Sequence, residues 1–133
     1  MGKVRLTKEQ AIKGHREMWN WIAEQYENGR TVNVNYLKEK WCKKHNIYLY
    51  NNCYCCEYVS KNNTSFYKCG KCPLIWGTEN NVNEYYCESG INHKYYGNTG
   101  LWFIALQYSK NGRYKEAAEI CRKIANLEVK EDV

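Results

Sequence analysis

The chain holds no apolar run approaching the roughly 20 residues that a bilayer-spanning helix needs, so no part of it reads as a membrane segment. Its first residues do not combine a charged start, an apolar stretch and a small-residue cleavage site, so no export signal is expected. It also lacks the residue sets that chemistry requires. There is no His-Glu-x-x-His, no phosphate-cradling glycine loop and no Ser-His-Asp set. A nuclease that joins zinc knuckles to a catalytic hairpin needs both a general-base His and a metal-binding His after the knuckles. Here His93, in Asn92-His93, is the only histidine there. No enzymatic activity is expected. Phe is scarce at 2 residues, and bulk comes instead from 13 Tyr and 5 Trp. Those rings join an apolar body to a polar tip, which suits half-buried positions and contact surfaces, although a small core short of Leu and Val also uses them as filler.

What is present fits one domain spanning residues 1–133. That length buries a core of its own, and an apolar share of 44% argues against wholesale disorder. The net charge of +6 is uneven. Residues 1–50 carry ten Lys and Arg against five Glu, a surplus of five, whereas residues 51–100 carry four of each sign. The densest basic cluster is Lys38, Lys40, Lys43 and Lys44. It would attract an anionic partner, but a solvated helix face explains it equally simply and is the preferred reading.

Helical periodicity occupies the two ends of the chain. Thr7 followed by Gln10 reads as a capping box, and Ile12, Trp19, Ile22 and Tyr26 recur at helical spacing up to the stop at Asn28-Gly29. This predicts a helix near residues 7–27, with His15 on or beside its apolar face as a core histidine. A second helix begins at Asn33 or Asn35 and carries Val34, Leu37 and Trp41, and its lysines and His45 favour the negative end of its dipole. Together these are the N-terminal helices of residues 1–46. Residues 98–129 read as a helical hairpin. Thr99 starts a helix with Leu101, Trp102, Ala105 and Tyr108, Asn111-Gly112 stops it, and a last helix carries Tyr114, Ala117, Ala118, Cys121, Ile124 and Leu127. The run from Gly112 to Ala117 resembles the turn and second helix of a tetratricopeptide repeat. Only one such unit is visible, and stacked repeats need neighbours, so no repeat function follows.

Residues 47–97 have no helical period and are rich in Asn, Tyr, Gly and Cys. A structureless loop of that length is implausible inside a compact domain, so the cysteines are expected to order it. Cys53-x-x-Cys56 and Cys69-x-x-Cys72 are separated by the twelve residues Glu57 to Lys68. Each pair turns two thiolates toward one ion, two pairs complete a tetrahedron, and Gly70 lets the second knuckle turn tightly. One structural zinc ion on Cys53, Cys56, Cys69 and Cys72 is therefore expected. Cys55 breaks the spacing and should point away, Cys87 is the substitute ligand, and Cys42 and Cys121 fall at apolar helix positions that suit buried thiols. The predicted fold class is mainly α with a zinc-knuckle insert.

The runs His15 to Ile22, Asn52 to Tyr58 and Cys69 to Trp76 resemble a family of small four-cysteine zinc proteins from phages and their bacterial hosts. The resemblance covers most of the chain. It implies a metal-binding viral accessory protein acting on host metabolism or defence, and its motifs carry relatedness rather than an activity. The expected function is a non-enzymatic binding module in the cytoplasm, the host cell's if the protein is viral, whose partner is a host or antiviral-defence protein. Tyr85, Tyr86, Lys94, Tyr95 and Tyr96 are the candidate contact residues. Two alternatives are sequestration of a nucleotide signal between aromatic rings and Lys or Arg, and nucleic-acid binding. The second is disfavoured because the knuckle segment is neutral, whereas zinc modules that grip phosphate are basic themselves.

Overall fold

The computed structural model describes residues 6–49, 53–55, 57, 58, 74, 91–93, 97–99 and 101–129. Its order is α1 (Lys8–Glu27), α2 (Val34–Lys44), β1 (Ile91–His93), β2 (Gly97–Thr99), α3 (Leu101–Lys110) and α4 (Tyr114–Ala125), so the described chain is mainly helical. No helix among the described residues is long and apolar enough to cross a membrane.

The helix boundaries follow local chemistry. Thr7 caps α1 by accepting from the Gln10 amide, while the Gln10 side chain accepts from the Thr7 amide, so two orphan donors are satisfied reciprocally. At the other end Gly29 adopts φ +95°, and the Arg30 amide reaches back to the Gln25 carbonyl at 3.0 Å. This closure needs a left-handed residue, which glycine supplies without strain. Asn33 caps α2 by accepting from the Tyr36 amide. Asn46 closes that helix at φ 53°, with the Ile47 amide donating to the Cys42 carbonyl. Three residues, Asn111 to Arg113, join α3 to α4.

The predicted end of the central segment shifts slightly. Thr99 does not start α3 but is the last residue of β2, which pairs antiparallel with β1 in the register Ile91 to Thr99 and His93 to Gly97. A two-stranded hairpin thus delivers the chain to α3.

The core lies between α1 and α4, the most extensively packed pair. Its fully buried large side chains include Met18, Trp19, Ile22, Leu37, Ile104 and Ile124. Polar contacts set the direction of the pairing. His15 meets the Ile124 carbonyl at 2.8 Å, near the start of α1 and the end of α4. Arg122 donates to Asn20 and, through both sides of its fork, to Glu27. At the far end Tyr26 stacks on Tyr114, with centroids 5.7 Å apart. Positions rise along one helix as they fall along the other, so α1 and α4 are antiparallel. The Arg122 guanidinium holds the Glu27 carboxyl below its ordinary range, but the pair is exposed and contributes little to stability. The start of α2 is tied to α3 by Ser109, which accepts from the Val34 amide and donates to the Leu106 carbonyl.

Lys38 departs from the solvated-face reading. It is buried, with its ammonium over the rings of Trp19 and Trp102 at 5.7 and 5.8 Å. Two aromatic faces attract the cation that water would otherwise hold. The other three lysines of the cluster are exposed.

Candidate metal centre

Of the four predicted ligands, Cys53 is described and half-buried; Cys56, Cys69 and Cys72 lie outside the described residues. Tyr85, Tyr86, Lys94, Tyr95, Tyr96 and Cys87 lie outside them as well. Among the described residues no three His, Cys, Asp or Glu side chains are arranged to hold a metal ion.

The described residues that directly follow Cys53 are helical, in a segment whose sequence has no helical period. Tyr54, Cys55, Glu57 and Tyr58 are helical, and the Glu57 amide donates to the Cys53 carbonyl at 2.9 Å. One turn is too short to show as a period in the sequence. It is held onto the helical body by three adjacent contacts. The Tyr54 ring lies against Gly14 of α1, where an added Cβ would overlap three of its ring atoms. The Tyr54 hydroxyl accepts from Trp41 Nε1 of α2 at 3.0 Å. Cys55 is 1% exposed and belongs to the core. Glu57 is buried as well.

The far side of the central segment is also anchored. Leu74, two residues after Cys72, is fully buried and forms an antiparallel bridge with Val129, just beyond α4. Two residues earlier, the Leu127 carbonyl accepts from Arg16 at 3.1 Å. One turn of α1, Gly14 to Arg16, therefore touches Tyr54 directly and, through Arg16, the segment 127–129 that bridges to Leu74.

The remaining thiols and the core histidine have structural surroundings. Cys42 and Cys121 are buried at the apolar positions expected of them. Burial pushes both thiols up, with Lys38 opposing and Cys53 adding to the effect at Cys42. Raised thiols hold little thiolate at neutral pH and are poor nucleophiles. His15 is fully buried. Because its Nε2 faces a carbonyl, that nitrogen carries the proton and donates to Ile124. Burial, with the nearby charges of Lys38 and Arg16, lowers its pKa from 6.5 to about 4, against the opposing pull of the Ile124 carbonyl. At neutral pH it is an uncharged crosslink between α1 and α4.

The two residues of the contact between α1 and the Cys53 segment were not singled out in the sequence. Gly14 interrupts a good helical pattern at a penalty of about 1 kcal/mol relative to Ala, and that interruption was the available sign that something lies on it. Tyr54 had no such sign beyond its place inside the cysteine motif. Comparison with family models, with curated proteins and with solved structures returns no match for the chain.

Proposed function

We propose that this chain is a non-enzymatic binding module braced by one structural zinc ion on Cys53, Cys56, Cys69 and Cys72, and that it acts in the host-cell cytoplasm as a phage accessory protein binding or inhibiting a host or antiviral-defence component. The supporting observation is that the flanks of both cysteine pairs are seated on one region of the helical body. Tyr54, next to Cys53, rests on Gly14, and Leu74, two residues from Cys72, bridges to the segment held by Arg16. Adjacent residues are 3.8 Å apart along the backbone, so these seats limit how far Cys53 and Cys72 can stray from the body. The donor set fits zinc: four thiolates saturate a tetrahedral ion and leave no position for water, which makes the ion a brace rather than a Lewis acid for hydrolysis.

Elemental analysis of purified protein should find one zinc per chain. Serine at Cys53, Cys56, Cys69 or Cys72 should remove it, whereas Cys55→Ser should retain it. Protein without bound metal would overturn the brace. Affinity capture from infected cells, with mass spectrometry of proteins and small molecules, tests the partner. Replacing Tyr85, Tyr86, Tyr95 and Tyr96 with Ala should abolish the specific capture. If capture and biological effect both survive in a folded variant, those residues are not the contact surface.

A further inference from the structure

The outward face of α2 carries a second arrangement that the zinc reading does not use. Tyr36, Glu39, Lys40, Lys43 and Lys44 stand at helical spacing opposite the buried stripe of Val34, Leu37, Lys38, Trp41 and Cys42. With Trp21 from α1 they line an open groove of about 430 Å³. Three lysines against one glutamate make it cationic. The glutamate is engaged, since Lys43 Nζ lies 3.8 Å from Glu39 Oε1. The other two ammonium groups meet rings instead: Lys40 lies 6.0 Å from the centre of Tyr36 and Lys44 5.6 Å from the centre of Trp21. Among the described residues neither has a carboxylate partner.

The rings differ in burial and so in use. Trp21 is half-buried and backed by Trp41, with centroids 5.5 Å apart, and Trp41 is in turn held by Tyr54. Tyr36 is 44% exposed, one of two exposed large hydrophobic residues among the described residues. The groove thus joins a half-buried ring and an exposed ring, each with a lysine over it.

We propose that this groove binds a free nucleoside phosphate, with its base stacked on Tyr36 and its phosphates on Lys40 and Lys44, the latter over Trp21. A base supplies the flat face that an exposed ring takes up, and charge-assisted bonds hold the phosphates. Size selects the free nucleotide over a nucleic-acid strand. The volume lies near the lower end of small-ligand sites, about 300–1,000 Å³, and Tyr36 to Lys44 spans eight residues, about 12 Å of helix. That is room for one base and its phosphates, not for a repeating track. The lining residues belong to α1 and α2, and the cysteine segment reaches them only through the contact of Tyr54 with Trp41.

The experiment is isothermal titration and Trp fluorescence on the metal-loaded full chain at low salt, with ATP, AMP, adenosine, inorganic phosphate and a single-stranded octanucleotide. ATP should bind and quench fluorescence, with AMP weaker and adenosine or phosphate weaker still. Tyr36→Ala should weaken ATP about tenfold, the loss of one stacking platform. The double variant Lys40→Gln, Lys44→Gln should weaken it by a similar factor and flatten the salt dependence. All three positions are exposed, so far-UV circular dichroism should be unchanged. Lys13→Gln, about two turns along α1 from Trp21 and not part of the groove, should have no effect. Absence of ATP binding, ATP binding indifferent to both groove variants, or an octanucleotide binding more tightly per site than ATP would each overturn the proposal.

Discussion

Acid should loosen the pairing of α1 with α4 through a single imidazole, and His15→Gln should remove that sensitivity. Burial lowers the pKa of His15 from 6.5 to about 4 in the folded protein, with Lys38 and Arg16 opposing the proton further. The unfolded chain therefore takes up a proton near pH 6.5 that the folded chain refuses until about pH 4. Stability is complete above the upper value, falls as pH drops through the interval, and loses nothing more below the lower one. The full interval, at about 1.36 kcal/mol per pH unit, amounts to about 3 kcal/mol. Roughly 2 kcal/mol of this disappears between pH 7 and pH 5, a large fraction of the 5–15 kcal/mol that typically holds a domain. Glutamine places an amide nitrogen close to where Nε2 stands, so it keeps a donor for Ile124 and cannot be charged. Urea unfolding followed by Trp fluorescence at pH 7, 6 and 5 should show wild type losing about 2 kcal/mol more than the variant. Carboxylates and thiols are common to both and cancel in the comparison. Parallel stability curves for the two proteins would refute the reasoning, as would an imidazole signal titrating near 6.5 in the folded state.

Three further outcomes follow from other contacts. Gly14→Ala should destabilise by about 1–3 kcal/mol by overpacking against Tyr54, although the same change on an open helix face stabilises by about 1 kcal/mol; in a urea double-mutant cycle Tyr54→Ala should largely cancel it. Chelation should abolish near-UV circular dichroism around Tyr54 and Trp41 while far-UV helical signal persists, because the α1–α4 core contains none of the four proposed ligands; unchanged near-UV signal after complete metal removal would count against the brace. Cys121, fully buried with its thiol pushed up, should resist alkylation at pH 8 until urea unfolds the protein, as read by peptide mass spectrometry.

The helices were legible where a local signal decides a local structure. Thr7 with Gln10, Asn33 before Val34, and the Asn111-Gly112 break each act within a turn, and the structure uses all three. Partners were not legible, because an apolar stripe states that a face is buried without stating against what; α1 proved to pack on α4 rather than chiefly on its neighbour α2. Lys38 was misread for the same reason. Its charge suggested water, and only the arrival of Trp102 from α3 beside Trp19 makes burial tolerable. Asn46 ends α2 through a left-handed backbone that asparagine accepts more readily than most residues, a cue passed over in favour of the lysines. At the candidate centre, spacing singled out Cys53 and set Cys55 aside, but it gave no sign that Cys55 is buried in the core. The helical turn beneath them is too short for any periodicity to reveal, and its seat on Gly14 is a contact across 40 residues of chain that only the fold creates.

The antiparallel union of α1 and α4 also has a consequence for synthesis. His15 and Ile124 are 109 positions apart, and ribosomes add roughly 5–20 residues each second. The first helix therefore leaves the exit tunnel and waits on the order of 5–20 seconds before the helix that covers it exists. Throughout that interval Met18, Trp19 and Ile22 have only the nearby α2 for shelter, so nascent chains should be strong clients for chaperones, and premature termination before α4 should yield fragments prone to aggregate.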